Sequence, residues 1–301
     1  MYTFTTMANA FRYIRKIKSE DQIRSFFEKA SSRVFSPAEL AGIVEEHRNI
    51  WNLAATTPVA KLMERLVANN VLRLIEIPFS NEKIFQRYLF GEPSAYEVAV
   101  SLHNKSYLSH YTAVFLHGLT TQVPKTIYVT HEQSAKVQAR GTLTQAAIDA
   151  AFLLPQRRPE TKGVFEDYNL ILLSGKYTNR LGVTTVARDR ERLSYTGLER
   201  TLIDITVRPN YAGGAFMVLE AYKKALALNL SVNKLAATLN NLSFIYPYHQ
   251  AVGFYLTRAG YTGDLLSLLR KQPMSFDFYL DYQLEERGYS PDWKIYYPMG
   301  I

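Results

Sequence analysis

Residues 57–90 read TPVAKLMERLVANNVLRLIEIPFSNEKIFQRYLF, an amphipathic segment followed at once by two runs of strand character. Val59, Leu62, Met63, Leu66 and Val67 recur with the 3.6-residue period of a helix, opposite Lys61, Glu64, Arg65 and Asn69. Asn70 suits the left-handed position that ends such a helix. Beyond it, VLRLIEIPF (71–79) and KIFQRYLF (83–90) are rich in aliphatic and aromatic residues. Ser80-Asn81-Glu82 separates them, which together is a hairpin signal.

Upstream, Phe35-Ser36-Pro37-Ala38-Glu39-Leu40 carries a complete helix-start code. Ser36 caps free N–H groups, Glu39 returns a bond to the cap, and Pro37 fills the first helical position, where a missing N–H costs nothing. Leu40, Ile43, Val44 and His47 then make an inward face to about Arg48. Residues 20–30 (EDQIRSFFEKA) form a further helix, with Glu20 and Asp21 at its positive end and Ile23, Phe26, Phe27 and Ala30 as its apolar stripe. Three helices followed by a hairpin make a winged helix-turn-helix pattern, whose third helix enters the major groove and whose hairpin lies along the DNA backbone. The expected DNA-contacting set is Thr57, Lys61 and Arg65 on the third helix and Arg73, Lys83 and Arg87 on the hairpin. The alternative is the same fold used for protein contacts, with these cations solvated. The Asn49–Thr56 connection, which contains Trp51, is longer than a tight helix-turn-helix turn.

The whole chain of 301 residues exceeds the usual single-domain size, and 47% hydrophobic against 21% charged residues is enough to bury a core. The absence of cysteine removes disulfides, thiolate chemistry and cysteine-based zinc sites. No apolar run approaches the roughly 20 residues of a membrane span, and residues 1–11 are too polar for a signal-peptide core. A cytoplasmic protein without a membrane partner is expected. The net charge of +8 points to a polyanionic or acidic partner. It is spread evenly: residues 1–92 hold 13 Lys/Arg against 10 Asp/Glu, and the remainder 22 against 17. DNA binding would therefore use a compact patch. Three segments follow: a basic arm at 1–19, with Arg12, Arg15, Lys16 and Lys18 as possible phosphate contacts, a winged-helix domain at 20–92, and an α/β domain at 93–301 that begins after the Gly91-Glu92-Pro93-Ser94 break.

Helices and strands alternate beyond that break. Tyr96–Leu102 and Tyr111–His117 read as short helices, the second capped by Ser109 and closed by Gly118. Strands are expected at 126–132, 168–175, 184–189 and 192–197, and a pair of extended pieces at 276–283 and 293–297. Helices are expected at Leu198–Val207, Ala215–Leu228, Val232–Leu242, Tyr248–Ala259 and Asp264–Leu269. The fold class is α/β (α+β), with a helical C-terminal half.

No set of residues in this domain spells out a catalytic site, a metal site or a cofactor site. His103, His110, His117 and His131 lack metal-ligand spacing and read as structural. Asp204 with Glu220 and Lys223 faintly resembles a nuclease acid–acid–lysine set. Glu220 and Lys223, however, lie three apart in a helical pattern, where they form a surface pair. Ala212-Gly213-Gly214-Ala215 lacks the Lys-Ser/Thr of a phosphate-binding loop and reads as a tight turn. Arg188-Asp189-Arg190-Glu191-Arg192, if extended, places three arginines on one face. With Lys176 and Arg180 these form a possible second basic surface, for nucleic acid, an acidic partner or solvent.

Two blocks of this domain resemble the AbiEi-type antitoxin family of type IV toxin–antitoxin systems. One runs from Tyr107-Leu108-Ser109-His110-Tyr111 through Gly118 to Pro124-Lys125-Thr126-Ile127-Tyr128-Val129-Thr130. The other runs from Glu199-Arg200-Thr201-Leu202-Ile203-Asp204 through Arg208-Pro209 to Tyr211-Ala212-Gly213-Gly214. Order and spacing match that family in outline over about residues 30–260. The resemblance implies a bacterial repressor that binds double-stranded DNA at its own promoter repeats, and an antitoxin, not an enzyme, that counteracts a nucleotidyltransferase-like toxin. The alternatives are a stand-alone winged-helix regulator or interaction module, and a metal-dependent nuclease.

Overall fold

The computed structural model describes residues 20–135, 142–157, 161–188 and 191–301, apart from the side chains of Arg188 and Asp264. Eleven helices and twelve strands among these residues make a mixed α+β protein. They divide into two compact units. One extends through Leu102 and includes Ala187–Arg192; the other comprises His103–Val186 and Leu193–Ile301.

The first unit contains α1 (residues 20–29), β1 (Val34–Phe35), α2 (Pro37–His47), α3 (Val59–Ala68), β2 (Arg73–Pro78), β3 (Ile84–Leu89) and α4 (Ala95–Ser101). The start code at Ser36 is realised in full: the Glu39 amide donates to Ser36 Oγ at 3.2 Å and the Ser36 amide to Glu39 Oε2 at 2.8 Å. Asn70 takes φ +54°, the left-handed turn that releases the chain from α3 into β2. The hairpin β2–β3 pairs from Arg73↔Leu89 to Pro78↔Ile84. Short strand β1, which the sequence pattern does not reveal, adds antiparallel to β3, giving the order β1-β3-β2. Ile23, Phe27, Leu40, Val44, Leu62 and Leu66 converge on one core.

The long connection before α3 is packed, not loose. Trp51 is 1% exposed and rests against Phe26 and His47. Arg48 Nη1 donates to the carbonyls of Ala54 at 2.9 Å and Thr57 at 3.1 Å, so its guanidinium fastens the turn. A second capping box, Ser94 with Glu97, starts α4. Glu97 also accepts from Arg33 Nε and Nη2, at 3.1 and 2.5 Å. These bonds draw α4 into the first unit, so its boundary falls after Leu102 instead of at the Gly91-Pro93 break.

The second unit is built on a six-stranded sheet in the order β6-β7-β5-β4-β9-β8. Its strands are β4 (Tyr107–Leu108), β5 (Thr126–Glu132), β6 (Lys162–Phe165), β7 (Tyr168–Gly175), β8 (Val183–Arg188) and β9 (Glu191–Thr196), of which the end of β8 from Ala187 and the start of β9 to Arg192 count with the first unit. β5 and β7 run parallel in seven-residue register, Thr126↔Asn169 to Glu132↔Gly175. Leu170 to Leu173 are all buried, as the unbroken apolar run of a strand covered on both faces requires. The short helix α5 (His110–Leu116) follows β4, and α6 (Gln145–Leu153) lies between β5 and β6 in sequence.

The helical half contains α7 (Leu198–Val207), α8 (Ala215–Leu226), α9 (Val232–Leu242), α10 (Tyr248–Arg258) and α11 (Ser267–Arg270). Leu202, Ile205, Tyr222, Leu235 and Tyr255 centre their common core. The chain ends in a small sheet of β10 (Phe278–Tyr279), β12 (Ile295–Pro298) and β11 (Arg287–Ser290). α10 anchors it: Gln250 Nε2 donates to the carbonyls of Trp293 at 2.8 Å and Phe276 at 2.9 Å. A Cβ on Gly253 would lie 2.2 Å from the buried Trp293 ring.

Candidate functional site

The six candidates of the first unit separate once their neighbours are known. Lys61 is exposed on α3, and Arg73 and Lys83 are exposed on the hairpin. Arg73 Nη2 stands 3.0 Å from Glu92 Oε2, a pair open to solvent, and the Lys83 ammonium lies 4.3 Å from the centre of the Phe85 ring. Thr57 is half-buried, its carbonyl taken by Arg48.

Arg65 is half-buried and paired, and Arg87 is buried and structural. Arg65 turns towards α1, with Nε 3.5 Å from Glu20 Oε1 and its side chain 34% exposed. Arg87 is 5% exposed and donates to Ser101 Oγ at 3.0 Å, the Ser101 carbonyl at 2.7 Å and the Gln86 carbonyl at 2.6 Å. Burial lowers its pKa. The reason is strand alternation: Phe85, Arg87 and Leu89 share the inward face of β3, while Gln86 points out. The expectation that Arg87 would sit on the outer surface of the hairpin is corrected. The remaining surface also carries Glu64, Glu76 and Glu82, all exposed, so its positive charge is local.

Arg12, Arg15, Lys16 and Lys18 of the arm, Arg190, and the side chain of Arg188 lie outside the described residues. Arg192 is exposed on β9. Lys176 and Arg180 are engaged. Lys176 Nζ donates to the carbonyls of Leu242 at 2.9 Å and Ser243 at 3.1 Å at the end of α9, and the Arg180 guanidinium donates to the Lys105 carbonyl.

The second unit assembles polar residues that the sequence left scattered. The expected cap at Ser109 forms differently: its hydroxyl makes no capping bond and meets His110 Nδ1 at 2.8 Å and Thr130 Oγ1 at 2.7 Å. His110 holds the left-handed φ of +51° and is buried, so its ring is fixed by the fold. Burial pushes its imidazole down to about 4, outweighing the nearby Asp204 carboxylate, which favours protonation. Arg200 Nε donates to Asp204 Oδ1 at 2.7 Å, and Nη1 to the Leu181 carbonyl at 2.6 Å. Burial opposes the charge of Arg200, but Asp204 more than compensates and raises its pKa. A Cβ on Gly182 would come within 2.8 Å of the Arg200 Cβ, so the turn at φ +73° passes directly over the arginine stem. Sequence spacing marks Arg200 and Asp204 as one helical turn apart; nothing local marks the return of Leu181 and Gly182 to them.

Other candidates resolve simply. Glu220 pairs with Lys223 at 2.8 Å on the surface, and Asp204 belongs to Arg200. Gly213 and Gly214, with φ of +90° and +94°, form the turn before α8. His117 Nε2 meets the Thr196 carbonyl at 2.8 Å, and His103 stacks on His131. Among the described residues no three metal-ligating side chains gather, and no helix is long and apolar enough to cross a membrane.

Neither a family model nor a curated protein matches the sequence. Among solved structures, the crystal structure of the Rv2827c protein from Mycobacterium tuberculosis is similar. Its TM-score is 0.55 at 12% sequence identity, over 93% of this chain and 91% of that one. At that identity the likeness concerns the fold alone.

Proposed function

We propose that this chain is a DNA-binding autorepressor of its own promoter repeats and the antitoxin of a toxin–antitoxin pair, counteracting a nucleotidyltransferase-like toxin in the cytoplasm. The observation that carries the DNA-binding part is the order α1-β1-α2-α3-β2-β3, with sheet order β1-β3-β2 and exposed Lys61, Arg73 and Lys83 on α3 and the hairpin. That order is what a winged helix needs, with α3 as its groove-reading element. Lys61, on α3, meets a phosphate at the groove edge, and Arg73 and Lys83 meet backbone phosphates along the hairpin. The antitoxin part rests on the two sequence blocks at 107–130 and 199–214.

A second reading is a winged-helix module that contacts protein, favoured by Ile84 and Leu74, 57% and 38% exposed on the hairpin. Selection from random DNA by the full chain separates the two. A recurring motif that also lies in its own promoter supports repression; no enriched sequence favours protein contact. The antitoxin role requires a nucleotidyltransferase-type reading frame beside its gene: co-expression with that toxin restores growth, and the lack of such a frame or a failure to restore growth removes the role.

A further inference from the structure

The second unit holds a half-enclosed cavity of about 440 Å³, within the size range of small-molecule sites. Four cations line it, Arg157, Lys176, Arg200 and Arg208, against the single carboxylate of Asp204. That carboxylate is already committed to Arg200 at 2.7 Å. The cavity therefore carries a positive surplus that its own walls do not neutralise. Among the described residues Arg157 and Arg208 form no ion pair.

The cations are held at different depths. Arg200 is buried and fixed from both ends by Asp204 and the Leu181 carbonyl. The Lys176 ammonium is pinned on the last carbonyls of α9. Arg208, at the end of α7, is half-buried, and Arg157 is exposed at the rim. Convergence of like charges in a partly water-excluded space is unfavourable unless an anion shares it, and such a cleft concentrates anions. The rest of the lining is mixed: His110, Thr130, Ser174 and Thr178 are polar, while Leu173, Val207, Leu242 and Phe244 make an apolar wall, with the Tyr211 ring braced edge-on by His110 at 5.2 Å. A cationic lining beside aliphatic and aromatic side chains suits a molecule with a phosphate at one end and a flat, weakly polar ring at the other.

We infer that this cavity binds a phosphorylated small molecule of nucleotide size. Arg208 and Arg157 bind the phosphates, Arg200 supplies the fixed inner charge, and Phe244 and Tyr211 border the ring. This assignment is independent of the DNA-binding reading, because its residues all lie in the second unit.

The test is calorimetric titration of the full chain with ATP, AMP, adenosine and inorganic phosphate. ATP or AMP binds, while adenosine and inorganic phosphate each bind at least about tenfold more weakly, as loss of charge-assisted hydrogen bonds or of ring burial entails. Arg208→Ala and Arg157→Ala each weaken nucleotide binding about tenfold and leave the ligand-free unfolding midpoint unchanged. Lys61→Ala leaves nucleotide binding intact, which separates this site from the α3 surface. Absence of binding by both nucleotides would overturn the inference, as would wild-type affinity in the two arginine variants. Inorganic phosphate binding as tightly as ATP would overturn the nucleotide assignment. So would a short single-stranded DNA that displaces ATP at lower concentration than AMP does.

Discussion

In the first unit the exposed cations sit on α3 and the adjoining hairpin, neighbours in sequence, whereas in the second the cations converge from α7 and from the connections that follow α6, β7 and α7. The first arrangement makes a shallow outer surface with acidic residues interspersed. The second makes a recessed positive site with one committed carboxylate. Charge at the surface is screened and weak per residue, so it serves a long polyanion touched at many points. Charge in a recess is strong per residue and serves a small anion. On the two proposals above, the first arrangement would suit DNA and the second a small phosphorylated molecule.

The comparison is sharpened first through the packing that holds the second unit together. Gly253→Ala drives a methyl group into the Trp293 ring and is expected to cost about 3 kcal/mol or more, the upper range for overpacking a close-fitted core. Chemical denaturation measures it. A loss near zero would mean that the C-terminal sheet is not clamped on α10.

The next largest effect is acid sensitivity. His110 ionises near 6.5 in an unfolded chain and near 4 in the folded one. Above about pH 6.5 both states are neutral and the full stability is present. As the pH falls from there through 4, the unfolded chain takes up a proton that the folded chain refuses, and about 3 kcal/mol is lost. His110→Asn, which tolerates the left-handed backbone, flattens that part of the stability–pH curve. His117 and His249, also depressed by burial, keep a smaller slope. An unchanged curve in the variant would place the acid-sensitive group elsewhere.

Arg87→Met tests the boundary between structural and binding cations in the first unit. It leaves the carbonyls of Ser101 and Gln86 without their donor and is expected to cost about 2 kcal/mol, read by denaturant midpoint. DNA affinity, measured below the unfolding transition, stays the same. Weakened DNA binding without loss of stability would return Arg87 to the interface.

Much of the architecture was legible because local rules decided it. The Ser36 box follows from capping, the Asn70 turn from its left-handed preference, and the helices α3, α7 and α9 from apolar spacing. Strands β1, β4 and β6 escaped because strands of two to four residues have too little alternation to register, and pairing decides them. Arg87 was misread although its signal was present: it falls in step with Phe85 and Leu89 on a period of two. The capping residue Ser109 was diverted to His110 and Thr130, a competition that depends on β5 lying alongside. The cationic cavity was invisible because Arg157, Lys176, Arg200 and Arg208 come from separate segments. Only the parallel pairing of β5 with β7 and the return of the chain over Arg200 bring them together.

The most direct test of the DNA-reading surface is the salt dependence of full-chain binding to its own promoter fragment, wild type against Lys61→Ala. Lys61→Ala is expected to weaken binding and to reduce the slope of log affinity against log salt by about one, the loss of a single phosphate-neutralising charge. Identical affinity and identical slope in the two proteins would contradict the placement of α3 on DNA.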